Sequence, residues 1–209
     1  MARKQQLPAD AVHSEVYIKD FFDMVAPATI KFNADHFIFG DTYRCVWAIR
    51  EYPPQTKDQA ILCHLGDKEN VTLHIYARYV DNMEQRKIFQ NAQRKNSMLS
   101  TSDDLQEAVN AEGNLQDVAT LMAEMRKNKE PLIHCAVFIE MRANSLAKLE
   151  ELQTEVSMEL TRERITVDRL TMRQQEGFQC VSPVGYNAFG SLFERVLPAS
   201  AVANLYPLN

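Results

Sequence analysis

Apolar and polar residues alternate along three long stretches of the chain, and this pattern predicts β-strands. Residues 42–52 and 71–80 carry an apolar side chain at every second position, so one face of each strand belongs to a core. Residues 132–141 (LIHCAVFIEM) are apolar on both sides of the alternation, which is typical of an interior strand covered on both faces. A shorter extended segment, 36–39, joins the first strand through a turn at Gly40.

Helical spacing of apolar residues follows two of these strands. Residues 56–65 predict a helix that Thr56 caps and Gly66 ends. Residues 145–162 predict a longer helix that begins after a cap at Asn144. Its apolar stripe consists of Leu146, Leu149, Leu152, Val156 and Leu160.

Shorter elements complete the pattern. Residues 15–25 (EVYIKDFFDMV) gather apolar side chains near one side and predict a docking helix. Residues 165–167 form a short strand. Asp168 can then cap a last helical turn that runs through Gln175 and stops before Gly177.

Residues 83–129 differ in character from the rest of the chain. Their helical periodicity is weak at first and is interrupted by polar residues at 96–102. A capping box of the form Thr101-x-x-Asp104 opens a second helix. We interpret this region as a long helical insert.

Without that insert, the order strand-helix-strand occurs twice, at 42–80 and at 132–168. Two such halves side by side predict an α+β ferredoxin-like two-layer sandwich, in which helices cover one face of an antiparallel sheet and the insert lies between the halves. The predicted organisation is an N-terminal arm at 1–35 with the docking helix, a ferredoxin-like domain at 36–195, and a linker at 196–209.

Composition and charge exclude several classes of protein. An apolar content of 45% is ample for a core, and 23 basic against 28 acidic side chains argue against a broad nucleic-acid-binding surface. Four cysteines without a Cys-x-x-Cys pair indicate reduced thiols. The chain has no secretory signal and no run near the roughly 20 apolar residues that span a bilayer. We expect a cytoplasmic domain that reaches the inner face of the plasma membrane through partners.

No motif for nucleotide binding or hydrolysis occurs in the sequence. It lacks G-x-x-x-x-G-K-[ST], G-x-G-x-x-G, H-E-x-x-H and G-x-S-x-G. The acidic residues of the helix at 145–162 fall on an outward face, which is typical of a solvated surface. The histidines and cysteines near the predicted strands are potential metal ligands, but neighbours in a strand such as His134 and Cys135 point to opposite faces. We therefore predict no catalytic, cofactor-binding or metal site in these residues. These potential ligands are Cys63, His64, His74, His134 and Cys135.

One local concentration of basic residues remains as a candidate interface. It consists of Arg162, Arg164, Arg169 and Arg173, and Arg169 and Arg173 are expected to share a helix face. A surface that pairs with its own acidic neighbours is the simpler interpretation. The alternative is a contact for an acidic partner or a neighbouring domain. Nucleic acid is less favoured, because no aromatic side chains are interleaved to stack on bases.

Three segments carry a resemblance to a known family: NLQDVATL (114–121), ELTRERITVDRL (159–170) and FERVLPASAVANLYP (193–207). Together with TYRCVWAIREYPP from Thr42, they make nearly the whole chain resemble the N-terminal domain of conjugal transfer ATPases. These are the TrbE/TrsE/CagE-type motors of type IV secretion systems, and the versions on conjugative elements of Gram-positive bacteria are the most similar.

The resemblance implies an assembly role rather than catalysis. In that family the ATP site lies in a RecA-like motor domain, so ATP and magnesium are expected in a C-terminal domain beyond residue 209. The uncharged, proline-containing end at 196–209 also suggests a cut near a domain boundary. The implied partners are the protein's own ATPase domain, inner-membrane subunits of the secretion channel, and further copies within an oligomer of the intact protein.

Two other functions are alternatives. A stand-alone ferredoxin-like nucleic-acid-binding module requires exposed aromatic side chains on the sheet, for which Tyr43 and Tyr76 are candidates. A small-molecule enzyme requires a buried polar pocket around His74 and His134.

Overall fold

The structure is a computed structural model, and it describes residues 29–53, 61–101, 105–183 and 185–205. Within these ranges the chain forms seven strands and six α-helices, with one short 3₁₀ turn at Gly190–Leu192. The strands are β1 (Ile30–Phe32), β2 (Phe37–Phe39), β3 (Thr42–Glu51), β4 (Val71–Tyr79), β5 (Leu132–Ala143), β6 (Thr166–Asp168) and β7 (Arg195–Pro198). The helices are α1 (Cys63–Gly66), α2 (Asn82–Leu99), α3 (Leu105–Asn128), α4 (Leu146–Arg162), α5 (Gln174–Val181) and α6 (Ala199–Ala203).

All seven strands belong to one open antiparallel sheet. Its order is β1-β2-β3-β5-β4, while β6 pairs with β3 and β7 pairs with β5. The predicted α+β class and the antiparallel sheet are therefore confirmed. The central strands β3 and β5 contain runs of fully buried residues, as expected for strands covered on both faces.

Helices cover both faces of the sheet, so the prediction of a two-layer sandwich was wrong. On one face, α1, α4 and α6 pack against Trp47 and Ile139. On the other face, α5 and the loop that follows it pack against Val46 and Phe138. The second cover consists of α5 and residues 185–193, which pack on this face after β6. The sequence predicted only a short helical turn here.

Helix α5 differs most from its prediction. Asp168 does not cap a helix; its Oδ1 accepts a hydrogen bond from the Leu170 backbone N–H at 2.8 Å, and α5 begins later, at Gln174. Gly177 lies inside α5 rather than ending the helix, and it permits close approach to β3. A Cβ atom at this position would lie 3.1 Å from Val46 Cβ.

The long helix after β5 agrees with its prediction except at its cap. Ser145 caps α4, because its Oγ accepts from the Lys148 backbone N–H at 3.3 Å. The predicted cap, Asn144, lies one residue earlier.

The helical insert forms the antiparallel pair α2 and α3. Asp81 caps α2 by accepting from the backbone N–H groups of Met83 and Glu84. A small core anchors the pair where β4 ends and β5 begins. It consists of Val80, Phe89 and Leu132 with Ile88, Val118, Leu121, Met122 and Val196. Part of the predicted capping box, Asp104, lies outside the described residues.

The predicted domain limits fall inside the sheet. β1 belongs to the sheet although it lies within the predicted arm, and Val196–Pro198 pairs with β5 although it lies within the predicted linker. Val202 and Leu205 are buried in the main core. The docking helix at 15–25, residues 56–60 of the helix predicted at 56–65, and residues 206–209 lie outside the described residues.

In the part of the chain that the structure describes, no helix combines the length and the apolar content needed to cross a bilayer.

Candidate functional site

The four candidate arginines lie along the segment from the end of α4 to the start of α5. Arg162 is exposed and forms ion pairs with Glu159 and, at 3.5 Å, with Glu163. Arg164 follows with φ 57°, and its exposed side chain forms no ion pair with the described residues. Arg164 is therefore the member of the set whose charge is most available to a partner.

Arg169 and Arg173 are separated by the sheet. The Arg169 guanidinium lies 5.0 Å from the ring centre of Trp47, and the Arg173 guanidinium lies 4.4 Å from that of Phe189. Trp47 and Phe189 belong to the cores on opposite faces. The prediction that these arginines share a helix face was wrong, because both precede the first residue of α5.

A groove of about 440 Å³ runs between Arg169 and α4. Its walls combine hydroxyl and amide groups with one thioether, one carboxylate and the Arg169 guanidinium, so it offers neutral hydrogen-bonding groups beside one anion and one cation. The α4 residues that line it are Glu150, Gln153, Thr154, Ser157, Met158 and Thr161.

A partly buried ion pair crosses β3 and β5 on the face that α5 covers. Arg44 Nη1 donates to Glu140 Oε1 at 3.0 Å, and His74 Nε2 lies 3.7 Å from Glu140 Oε2. Only 12% of the Glu140 side chain is exposed. Burial favours the neutral acid, but contact with His74 and the charge of Arg44 outweigh it and hold the pKa of Glu140 below its ordinary value of 4.5.

Replacing Glu140 by glutamine is expected to lower the free energy of unfolding at pH 7 by about 1–3 kcal/mol, because the hydrogen bond from Arg44 then reaches a neutral amide oxygen and the Arg44 cation loses its counter-ion. Since folding lowers this pKa, the stabilisation is complete above the unfolded pKa and disappears as the pH falls through the folded pKa. Urea unfolding between pH 7 and pH 3 measures both effects.

The control for this prediction is Glu151→Gln, on the exposed side of α4. We expect that change to alter stability by less than about 0.5 kcal/mol at either pH. A Glu140→Gln variant as stable as the wild type at pH 7 would contradict a stabilising role for the pair.

A second polar cluster ties α2 to the sheet. His134 Nε2 lies 2.8 Å from Glu84 Oε1, and His134 Nδ1 lies 3.6 Å from Glu194 Oε2. Arg78 donates to both oxygens of Glu84, at 3.1 and 3.3 Å. Hydrogen bonds from Arg78 and His134 lower the pKa of Glu84. These groups hold the start of the helical pair against β4 and β5.

The histidines and cysteines do not assemble into a metal centre within the described residues, which contain no group of three potential ligands. His134 faces the Glu84 cluster, whereas Cys135 is buried in the core on the other face. Burial raises the pKa of the Cys135 thiol to about 11 and that of Cys45 to about 12. Both thiols therefore remain protonated at neutral pH.

Tyr43 and Tyr76, the candidate base-stacking residues, lie on opposite faces of the sheet. Tyr43 packs beside the core that α4 covers. Tyr76 packs against Phe138, and its hydroxyl donates to the Cys180 carbonyl oxygen at 2.6 Å. They do not form the shared, open stacking surface that the nucleic-acid function requires.

The sequence did not indicate that Gln174, which follows the candidate arginines, and Glu140 bond to β3. Glu140 could have been noticed as a carboxylate within an otherwise apolar strand. Gln174 is 1% exposed, yet nothing in its local pattern distinguishes it from its exposed neighbour Gln175.

Comparison with models of known protein families found no match for this chain, and comparison with curated proteins found none either.

Proposed function

We propose that this chain is the non-catalytic N-terminal assembly and coupling domain of a conjugative DNA-transfer ATPase of a type IV secretion system. In this role it packs on the motor ring and contacts inner-membrane subunits of the channel. Residues 114–121, 159–170 and 193–207 support this role because they resemble the N-terminal domain of conjugal transfer ATPases. It places ATP and magnesium in a separate motor domain.

The main structural support is that polar side chains near the sheet bond to other groups of the same chain. Glu140 is bound by Arg44, and Gln174 bonds the backbone of β3. His134 lies between two carboxylates. These groups stabilise the fold, and none of Glu140, Gln174 and His134 lines the groove between Arg169 and α4. A scaffold accounts for this arrangement better than an enzyme does.

The finer architecture is also part of the proposal. We infer that β6-β3-β5-β4 is a ferredoxin-like unit with additions. Two features support it: the strand order, and the packing of α1 and α4 on one face of these strands. The α2–α3 pair, the α5 layer and the β7–α6 segment are the additions.

The proposal predicts binding to channel subunits without ATP turnover. The 209-residue chain should co-sediment with inner-membrane vesicles that contain the channel and not with vesicles that lack it. Arg164→Glu should weaken this binding severalfold and shift the free energy of unfolding by less than about 0.5 kcal/mol, because Arg164 is exposed and unpaired among the described residues.

Lys148→Glu is the matched control, since it makes the same charge change at an exposed site at the opposite end of α4. It should leave vesicle binding unchanged. Equal binding to both kinds of vesicle would contradict the coupling role. ATP hydrolysis by the purified chain would contradict the non-catalytic role.

A further inference from the structure

Strand β4 ends the sheet, and its outer edge is unpaired within the described ranges 29–53, 61–101, 105–183 and 185–205. Its pairing with β5 is regular, from Val71 opposite Met141 to Tyr79 opposite Ile133. The edge is therefore one uninterrupted nine-residue strand.

The hydrogen bonds at the two ends of β4 establish which backbone groups point outward. Arg142 N–H donates to Asn70 O, and Val80 N–H donates to Leu132 O, both at 3.0 Å. Hydrogen-bonded and non-bonded pairs alternate in an antiparallel ladder, so even-numbered residues of β4 bond to β5. The odd-numbered residues direct their N–H and C=O groups away from the sheet.

Four residues therefore present both backbone groups at the outer edge: Leu73, Ile75, Ala77 and Tyr79. Val71 presents only its carbonyl there, because its N–H donates to Lys68 O at 3.2 Å.

This edge lacks the features that commonly prevent pairing with another strand. Such edges usually carry lysine, proline or a bulge, and Val71–Tyr79 has none of these. Its single charged residue, Arg78, is already bound to Glu84. Tyr79 is 57% exposed and adds an aromatic ring to the free edge.

We propose that β4 pairs with β4 of a second copy of this chain, in antiparallel orientation and centred on Tyr76. Leu73 then lies opposite Tyr79 of the second copy, and Ile75 lies opposite Ala77. This register satisfies every outward N–H and C=O group of the four residues, and it packs the Tyr79 ring over Leu73 of the second copy.

The charges on the other face are compatible with this register. Arg78 lies opposite His74 of the second copy. Within each copy Arg78 is bound by Glu84, and His74 lies beside Glu140. A second β4 thus matches this edge in length, in the positions of its free groups and in charge. The inference does not depend on the proposed function.

The test compares Ala77→Pro with Ala77→Val by analytical ultracentrifugation. Proline removes an outward N–H that β5 does not use, so the fold should persist, as circular dichroism can verify. Valine keeps that N–H and favours a strand. We expect concentration-dependent dimers of the wild type and of Ala77→Val, and a monomer for Ala77→Pro.

Hydrogen exchange of the wild type provides a readout without substitution. The amides of Leu73, Ile75, Ala77 and Tyr79 should become more protected as the dimer forms. A monomer at all concentrations would overturn the proposal, and so would a dimer that survives in folded Ala77→Pro. Protection of these amides in a monomer would overturn it too, because another part of the same chain would then cover the edge.

Discussion

Replacing Gln174 with alanine is expected to lower the free energy of unfolding by about 2–6 kcal/mol. The Gln174 side chain fills the gap on the edge of β3 between β2 and β6. Its Oε1 accepts from the Val46 N–H at 2.9 Å, and its Nε2 donates to Val46 O at 3.1 Å. Alanine leaves both buried backbone groups without partners, and each costs about 1–3 kcal/mol. Chemical denaturation measures the change.

The matched control is the next residue. Gln175 is exposed in the same turn of α5, so Gln175→Ala should change stability by less than about 0.5 kcal/mol. Equal effects at both positions would show that the bonds to Val46 contribute nothing specific.

The Gln174→Glu variant tests the donating Nε2 group of the side chain separately from its accepting Oε1 atom. A carboxylate can still accept from the Val46 N–H, but it faces the carbonyl oxygens of Val46 and Arg169, to which Gln174 donates. Burial and these oxygens should raise the folded pKa of the new carboxyl group above its unfolded value of about 4.3. The variant should therefore be most stable below the unfolded pKa and lose stability as the pH rises through the folded pKa.

Replacing Phe138 with alanine is expected to cost about 3–5 kcal/mol, in the range of other buried phenylalanines. Phe138 is fully buried in β5. Its ring stacks with Phe189 at 5.8 Å and meets Phe193 edge-on at 6.3 Å. Because these contacts hold residues 185–193 on the sheet, hydrogen exchange at Phe189 should accelerate more than exchange at Trp47, which lies on the other face.

Tyr186→Ala is the control for this prediction. Tyr186 belongs to the same segment but is 63% exposed, so its loss should change stability by less than about 0.5 kcal/mol. If Phe138→Ala proved as mild as Tyr186→Ala, the second aromatic core would not be a determinant of stability.

The regular elements were largely predictable because their signals are local. The alternation of apolar and polar residues predicted β3, β4 and β5, and the helical spacing of apolar residues predicted α4, to within a few residues at each end. The α2–α3 pair was recognised as helical for the same reason. The errors came from single residues interpreted as helix boundaries. Asp168 bonds to the Leu170 N–H instead of capping a helix, Ser145 rather than Asn144 caps α4, and Gly177 lies inside α5.

The candidate site was less predictable. The four arginines are close in sequence, but the sheet separates Arg169 from Arg173. The predicted helix began at Asp168 and so included both arginines, whereas α5 begins only at Gln174. The ion pair of Arg44 and Glu140 joins residues 96 positions apart. Pairing of this kind depends on strand register, which is not visible in either segment alone.

The order of apolar and polar residues was enough to establish an α+β domain with an antiparallel sheet and a helical insert, because secondary structure follows from periodicity over a few neighbouring residues. It did not reveal that a second layer covers the other face, or that Gln174 completes the edge of β3 from 128 positions away. Those features arise from contacts between segments that are distant in sequence. The energy of each contact depends on which faces and edges of the sheet are still uncovered when the segment packs against it. The three-dimensional arrangement therefore decided which polar residues became structural and left the edge of β4 without a partner among the described residues.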